Sequence, residues 1–251
     1  MPPAARPRSD SPAEPLVRAA AELARKAGAL RFAGPVALVY NPLDYARAAH
    51  EQYLRRYAVH GIQVLFVGMN PGPWGMAQTG IPFGDVETVR EWLRIDAHIG
   101  SPAVQHPERP ILGLSCPRVE VSGKRLWGLA RERFGTPAAF FRRHFVANYC
   151  PLAFLEQSGR NRTPDKLPAA EREELFEVCD DHLEALISNL GPRWVVGVGN
   201  FAYRRVESVL ASRGDKTARA ALIPHPSPAS PRANAGWAAE TRRCLEEMGI
   251  W

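Results

Sequence analysis

Three polar side chains in this chain have the chemistry to bind a flat heterocyclic compound. Asn70, Asn148 and His225 each stand near the end of a short apolar stretch, with a proline close by. An amide can pair with the edge of an amide-like base, and an imidazole can stabilise negative charge that develops on a ring oxygen. If the fold brings these side chains together, they indicate a pocket for a polar ring.

The loop that contains Asn70 has an unusual composition. From residue 68 to residue 84 it holds five glycines, which allow a ligand close to the backbone, and three prolines, which restrict its conformation before anything binds. Trp74 and Phe83 in this loop could stack on a ring. The simpler interpretation is a tight connector in which Asn70-Pro71 starts a turn. The length of the loop and its two aromatic residues favour a binding site.

Two other kinds of site are disfavoured. Ser227 lies two residues from His225 between prolines, and the chain has no nucleophile-elbow motif, so a hydrolytic triad is not expected. The predicted loops offer no carboxylate, and the four cysteines are far apart in the sequence. We therefore expect neither a metal site nor a cofactor, and we expect the cysteines to be reduced thiols.

The elements that must position these residues alternate between strands and helices. Strands are predicted at 63–67, 145–149, 194–198 and 220–223, with a brief strand-like run at 36–40. Helices are predicted from 15 to about 28–34, at 44–57, 85–94, 122–134, 168–190 and 234–248, and after Pro137 and Asn200, with Ser122 and Thr136 as caps. The segment 96–118 is expected to be irregular. This order predicts an α/β fold whose central, mostly parallel four-stranded sheet is flanked by helices. Ligands bind such sheets beyond the carboxyl ends of the strands, where Asn70, Asn148 and His225 should meet.

Length and charge set broader limits. The 251 residues, 45% of them hydrophobic, suffice for one domain at 15–251, after a Pro/Ala/Ser/Arg-rich tail (1–14) that is expected to be disordered. A net charge of +6 favours a polyanionic partner, although only four of the basic residues are lysines and the arginine excess weakens this argument. The chain has no apolar run of membrane-spanning length and no secretory signal core, so we expect an intracellular protein that does not bind membranes.

Four motifs in this chain are long and specific. They are GMNPGPWGMAQTGIPFG (68–84), FVANYCPLAF (145–154), SGRNRTP (158–164) and HPSPASPRANAGW (225–237). These motifs resemble those of the single-strand-selective monofunctional uracil-DNA glycosylase family, within the uracil-DNA glycosylase superfamily, and the similarity extends from about Leu38 to Gly249. The resemblance implies a three-layer fold and a cofactor-free monomer that acts on single- and double-stranded DNA. It implies hydrolysis of the N-glycosidic bond of uracil, or of C5-modified uracils such as 5-hydroxymethyluracil. Such a protein would work in the nucleus of a eukaryote, or in the cytoplasm or nucleoid of a bacterium.

The resemblance also implies a role for each matching residue. Asn70 would place the attacking water, and His225 would stabilise the uracil anion through its O2 oxygen. Asn148 would read the N3 and O4 edge of the base, while Phe83 would stack on the ring and the Met69 backbone would contact it. Each role agrees with the chemistry of its side chain, because uracil can leave as an anion and an amide can position water without acting as a base.

Two further features concern the substrate and the product. Gly72 would leave room beside C5, where a bulky side chain in some superfamily relatives blocks thymine and substituted uracils, so C5 substituents should be accepted. No lysine falls inside the catalytic motifs, and Lys166 is the single lysine in a loop expected to face DNA. The expected product is therefore an intact abasic site, without strand incision.

Two loops are implied to contact DNA. The residues assigned to these contacts are Ser158, Gly159, Arg160, Asn161, Arg162 and Lys166 in the first loop, and Pro226, Ser227, Pro228, Ala229 and Arg232 in the second. The second loop would wedge into the duplex, but Ala229 stands where the family often has an arginine. Arg160, Arg162 or Arg232 could therefore contribute more to opening the duplex. The simpler interpretation of these arginines is a solvated surface.

Two alternative functions stay open at this point. The segment 197–202 fits the G-x-G-x-x-A dinucleotide fingerprint after a strand, but the strand comes late in the chain and Asp215 is poorly placed to bind a ribose. The second alternative is a catalytically silent DNA-binding module. It is disfavoured because every expected pocket residue is present.

Overall fold

The computed structural model describes residues 11–214 and 217–251, apart from the side chain of Arg232. In these ranges the α-helices are α1 (Ala13–Ala29), α2 (Pro42–Tyr45), α3 (Arg47–Tyr57), α4 (Met76–Thr79), α5 (Val121–Phe134), α6 (Pro137–Phe141), α7 (Ala169–Leu190), α8 (Asn200–Arg213) and α9 (Pro231–Glu247). The strands are β1 (Val36–Tyr40), β2 (Val64–Gly68), β3 (His144–Asn148), β4 (Ala153–Glu156), β5 (Asn161–Arg162), β6 (Trp194–Val198) and β7 (Arg219–Ile223). The first helix begins two residues before its predicted start, and most of the predicted disordered tail lies outside the described residues. None of the described helices is long and apolar enough to cross a bilayer.

The predicted four-stranded sheet is confirmed. Its strands run parallel in the order β3-β2-β6-β7, and helices flank it. Every residue of β2 and β3 is buried, as expected for strands of a parallel sheet whose two faces are covered by helices. Gly68 is in register with Asn148, and Val198 is in register with Ile223. The loops after β2, β3 and β7 therefore leave the sheet at the same edge.

A second, antiparallel sheet was not predicted. Strand β1 pairs with β4, and β4 pairs with the two-residue strand β5. Strand β5 lies in the first of the two loops that the sequence analysis expected to contact DNA. A strand this short has no detectable periodicity and exists because β4 lies beside it. The pairing has a consequence for the site, because Asn161 Nδ2 donates a hydrogen bond to the carbonyl of Pro71 at 3.2 Å.

Several predicted helix ends differ from the structure. The helix expected at 85–94 is a single π-helical segment, Thr88–Trp92, and Asp85 accepts a hydrogen bond from the Thr88 hydroxyl at 2.6 Å. Ser122 was expected to cap a helix but lies within α5, whose N-cap residue is Glu120. The cap at Thr136 is confirmed, since its hydroxyl accepts from the backbone N–H of Ala139.

Candidate active site

One cavity at the carboxyl edge of the parallel sheet contains the residues expected to bind a ligand. It has a volume of about 350 Å³ and is lined by Met69, Asn70, Gly72, Pro73, Met76, Phe83, Glu120, Ser122, Asn148, Asn161, Thr163, His225, Ser227 and Pro228. The expected meeting of Asn70, Asn148 and His225 is therefore present, whereas Trp74 does not line the cavity. A larger groove of about 740 Å³ lies between α1, β1 and α2 and includes none of these residues.

Asn148 and Phe83 meet over the end of β2. A Cβ atom at Gly68 would overlap both Asn148 Oδ1 and the edge of the Phe83 ring, so the strand must end in glycine here. Phe83 is 8% exposed and has a positive φ of 55°, a backbone conformation that side-chain-bearing residues rarely adopt. The loop therefore holds the phenyl ring beside the amide at some conformational cost.

The amide of Asn148 has one unused hydrogen-bonding atom. Its Oδ1 is buried and has no hydrogen-bond partner among the described residues, while its Nδ2 lies 3.2 Å from the weak acceptor Met76 Sδ. A buried polar atom without a partner costs about 1–3 kcal/mol. The side chain is thus placed to accept a hydrogen bond from a ligand at Oδ1 and to donate one from Nδ2.

Asn70 is oriented by a different contact. Its Nδ2 donates to the carbonyl of Leu152 at 3.2 Å, which leaves Oδ1 to accept from a water in the cavity. Two backbone hydrogen bonds of 2.9 Å, from Tyr149 to Gly68 and from Cys150 to Met69, hold the loop against the end of β3. The position of Asn70 is therefore fixed by β3 and the segment that follows it.

His225 follows β7 and faces the same cavity. Burial lowers the pKa of its imidazole below the ordinary value, so the ring is neutral at pH 7 and can donate a single N–H. The ring centroids of His225 and Phe83 are 6.4 Å apart. Arg125 donates to the carbonyl of Pro226 at 3.0 Å and to Asn234 Oδ1 at 2.8 Å, which ties the loop after His225 to α5 and α9.

The glycines of the dinucleotide fingerprint have packing roles in this fold. A Cβ atom at Gly197 would overlap the backbone of Tyr203, so this glycine lets α8 lie directly on β6. Gly199 has a φ of +91°, and a Cβ atom there would be 3.0 Å from His225 Cβ. The fingerprint spacing therefore has a sufficient explanation in helix packing and in the placement of His225.

Glu120 is a cavity residue that the sequence analysis missed, and the expectation of a site without a carboxylate was wrong. A Cβ atom at Gly72 would overlap Glu120 Oε2, so the carboxyl group fills part of the space that was expected to be open. Burial raises the pKa of this carboxyl, and the backbone N–H groups of Ser122 and Trp74 partly oppose that shift. A signal was available, because Glu120 lies two residues before the predicted helix start at Ser122, and acidic side chains are favoured near a helix N-terminus.

The first predicted DNA-binding loop is only partly exposed. Ser158, Arg160 and Lys166 are exposed, Gly159 is buried, and Asn161 lines the cavity.

Arg162 differs from the other arginine of that loop. Its guanidinium pairs with Glu156 at 3.0 Å and donates to the carbonyl of Lys166. Arg160 is therefore better placed than Arg162 to reach a DNA phosphate. The contacts of both residues with DNA stay predictions.

The second predicted DNA-binding loop presents a short apolar tip. Pro228 and Ala229 are exposed, Ser227 and Pro228 line the cavity, and Pro226 is buried. The side chain of Arg232 lies outside the described part of the structure. The contacts of this loop with DNA also stay predictions.

A pair of arginines beside the cavity loop was also missed. The guanidinium groups of Arg109 and Arg118 lie 5.0 and 5.5 Å from the ring centroid of Trp74. Neither arginine forms an ion pair with another described residue. Trp74 therefore holds two positive charges next to the loop that lines the cavity. The segment 96–118, which supplies both arginines, has no periodic pattern from which this could be predicted.

Comparisons with known proteins show which family this chain resembles. The family model of the uracil DNA glycosylase superfamily matches residues 55–248. The chain is 48% identical over 250 residues to the single-strand selective monofunctional uracil-DNA glycosylase of Rattus norvegicus, covering 100% of this chain and 88% of the rat protein. It is 50% identical over 221 residues to the proteins of the same name from Mus musculus and Bos taurus, covering 88% of this chain and 79% and 81% of theirs. Its fold resembles the crystal structure of Pedobacter heparinus SMUG2, with a TM-score of 0.61 and 16% identity over 92% of this chain and 97% of that one.

Proposed function

This chain belongs to the uracil DNA glycosylase superfamily, and from that membership and the geometry of the cavity we propose that it removes uracil from DNA. The protein extrudes uracil, or a C5-modified uracil such as 5-hydroxymethyluracil, and hydrolyses its N-glycosidic bond with a positioned water. The product is an intact abasic site for base excision repair. The observation that best supports this proposal is the buried, unpartnered Oδ1 of Asn148 beside the ring of Phe83.

Selection of the base follows from the two ends of the Asn148 amide. Uracil presents an N3–H donor next to an O4 acceptor, which match Oδ1 and Nδ2 respectively. Cytosine presents an acceptor at N3 and a donor at N4, so each end of the amide would face a like group. Sites built around such hydrogen bonds can discriminate strongly, because the wrong ligand leaves buried polar groups unpaired. Phe83 supplies a stacking surface that is independent of the base.

Catalysis in this proposal depends on charge stabilisation. The glycosidic bond breaks as the sugar gains oxocarbenium character and the base gains negative charge. The neutral imidazole of His225 donates an N–H toward O2, where that charge collects. Asn70 Oδ1 accepts from a water and aims it at the sugar, since its Nδ2 is held by Leu152. An amide cannot remove a proton from the water, so the water adds late to an already cationic sugar, and the proton that it then releases neutralises the departing uracil anion.

Access to the base requires extrusion from stacked DNA, which costs a few kcal/mol and least from a single strand. The exposed tip at Pro228 and Ala229 is small and apolar, so it fits into a stack but offers no charge. Arg109, Arg118 and Arg160 supply positive charge near the cavity to hold the phosphates.

The test is an excision assay without metal or cofactor. Single- and double-stranded oligonucleotides carrying uracil, 5-hydroxymethyluracil or cytosine at one position are incubated with the protein, and abasic sites are cleaved with alkali. We expect alkali-dependent cleavage at both uracils and none at cytosine. Cleavage without alkali, or a covalent adduct trapped by borohydride, would contradict a monofunctional hydrolysis.

A pair of variants tests the role of the Asn148 amide. We expect Asn148→Ala to lose most of the uracil excision, because the N3 and O4 edge is then unread. Asn189→Ala, which removes an amide on α7 whose Nδ2 donates to Ala185, should excise uracil at the wild-type rate. Equal rates for the two variants would remove the main support for the proposal.

A further inference from the structure

Glu120 is the single carboxylic acid among the described residues that line the cavity. We propose that Glu120 determines which C5-substituted uracils are accepted, by placing a hydrogen-bonding carboxyl group where the C5 substituent lies. The proposal rests on the function proposed above and adds a specificity residue to it. Gly72 provides the space, and Glu120 determines the chemistry of that space.

The proposed orientation of the base places its C5 atom on the side of the cavity where Glu120 lies. With the Asn148 amide on N3 and O4, the next atom around the ring is C5. The wall beside Asn148 continues through Met76, whose Sδ is 3.2 Å from Asn148 Nδ2. Met76 begins α4, and Gly72 is tied to the start of this helix because its carbonyl accepts from the N–H of Ala77 at 3.2 Å. Glu120 Oε2 occupies the position to which a side chain at Gly72 would point.

The carboxyl group is held between two elements. Glu120 precedes α5, and a Cβ atom at Gly123 in the first turn of that helix would overlap the Phe83 carbonyl, so α5 packs directly on the cavity loop. On the other side, a Cβ atom at Gly75 would lie 2.8 Å from Glu120 Cγ. The described residues include no lysine, arginine or histidine in an ion pair with Glu120. Its carboxyl oxygens accept hydrogen bonds from the backbone N–H groups of Ser122 and Trp74. A carboxyl group has further acceptor positions, so it can still accept a hydrogen bond from a ligand.

The carboxyl group of Glu120 should interact differently with each kind of C5 substituent. A hydroxymethyl group can donate its O–H to a carboxyl oxygen whether or not the carboxyl is protonated. The methyl group of thymine would cover the carboxyl without giving it a partner, which disfavours thymine. A formyl group brings an acceptor and no donor to the same position, so it can pair only with the protonated carboxyl and should be excised less well than hydroxymethyl.

The experiment compares substrates within each enzyme preparation. Single-turnover rates are measured on single-stranded oligonucleotides that carry uracil, 5-hydroxymethyluracil, 5-formyluracil or thymine, and each rate is divided by the uracil rate. For Glu120→Ala we expect the hydroxymethyl ratio to fall by about tenfold, because the hydrogen bond to the buried carboxyl is lost. For Glu120→Gln, which keeps the shape and adds a donor, we expect the formyl ratio to rise relative to the hydroxymethyl ratio.

The matched control is Glu87→Gln, which neutralises an exposed carboxylate that pairs with Lys124 at 3.5 Å. This variant should keep all wild-type ratios. If uracil is excised but neither Glu120 variant changes the ratios, the role of Glu120 is refuted and the proposed function stands. If the wild-type protein excises no uracil, the proposed function itself fails. Should Glu120→Ala not fold, the formyl and hydroxymethyl ratios of Glu120→Gln decide the question alone.

Discussion

Asn70 and Asn148 lie at or just after the ends of neighbouring strands, and they differ in the hydrogen bonds that their side chains already form. Asn70 donates from its Nδ2 to the Leu152 carbonyl, which leaves its oxygen available to accept from a water. Asn148 keeps its oxygen unpartnered and buried, which suits a base edge better than a mobile water. The residue types alone predicted two amides in a pocket. The difference between their roles depends on the backbone carbonyl of Leu152, which no sequence pattern predicts.

Removal of either catalytic side chain should slow excision far more than it weakens DNA binding. For Asn70→Ala and His225→Ala we expect single-turnover uracil excision to fall by about 100- to 1,000-fold, the usual loss for one group that stabilises a transition state. Affinity for an oligonucleotide with an abasic-site analogue, measured by fluorescence anisotropy, should change by less than about threefold. His98→Ala, at an exposed position, serves as the control. Near-normal turnover in either variant would refute the role given to that residue.

The protonation state of His225 makes a prediction about pH. Because burial lowers the pKa of this imidazole, it is already neutral at pH 7 and stays neutral as the pH rises. The single-turnover rate should therefore be flat between pH 7 and pH 8.5. If the imidazolium were the active form, the rate would fall about tenfold per pH unit over this range. A rate profile for the wild-type protein, with His225→Gln to identify the acidic limb, distinguishes the two cases.

At the level of elements, prediction from sequence succeeded for the strands of the parallel sheet and failed for the short strands β4 and β5 of the antiparallel sheet. Strands β2 and β3 are apolar and buried throughout, so their composition alone identifies them. Strand β5 has two half-buried residues and forms because β4 lies next to it. Glu120 escaped notice for a similar reason, since it reaches the cavity from the edge of an irregular segment. Elements that form only because another strand or helix lies beside them cannot be predicted from their own local sequence.

The end of β2 tolerates no side chain, which can be tested with a single methyl group. In Gly68→Ala the new Cβ would overlap Asn148 Oδ1 and the Phe83 ring, so we expect at least a 100-fold loss of uracil excision. The matched control is Gly128→Ala in the exposed middle of α5, where a Cβ atom would meet nothing within 4 Å. That variant should keep full activity and gain up to about 1 kcal/mol in unfolding free energy, since alanine favours helix. Equal activity of the two variants would contradict the packing at β2.

The arginines on Trp74 predict how DNA binding depends on salt. Each arginine that contacts a phosphate contributes about 0.7 to the slope of log affinity against log salt for single strands. We therefore expect the Arg109→Ala/Arg118→Ala variant to reduce that slope by about 1 to 1.5. Arg243→Ala, at a residue that pairs with Glu247 on α9 at 2.8 Å, should leave the slope unchanged. Titrations by anisotropy between 50 and 200 mM salt measure both, and an unchanged slope in the double variant would show that these arginines do not contact DNA.

On the scale of the whole molecule, the cavity depends on polar contacts between distant parts of the chain. Tyr149, directly after Asn148, donates to Asp180 Oδ1 at 2.7 Å and accepts from Arg205 Nε at 3.1 Å. This network joins the end of β3 to α7 and α8. The sequence predicted the three elements but not the contacts between them, because the partners are far apart along the chain. The precision of the site is therefore a property of the assembled fold.

Buried histidines make the stability of the fold depend on pH. His144 Nδ1 donates to the Phe140 carbonyl at 3.0 Å, and its Nε2 accepts from Trp251 at 3.1 Å, an arrangement that requires a neutral ring. Burial lowers the pKa of His144 to about 4, and it also lowers the pKa of His50. In the unfolded chain a histidine has a pKa near 6.5, so the unfolded state binds these protons first as the pH falls. Stability should then be complete above about pH 6.5 and be lost progressively toward pH 4.

The size of this loss can be assigned to His144 by substitution. From pH 7 to pH 5, one histidine with a folded pKa of about 4 contributes a loss of about 2 kcal/mol in unfolding free energy. We expect His144→Gln to be less stable than the wild-type protein at pH 7 but to lose about 2 kcal/mol less between the two pH values, as measured by urea unfolding. His98→Gln, at an exposed histidine, should keep the wild-type difference. If His144→Gln also keeps it, protonation of His144 does not limit the acid stability of the fold.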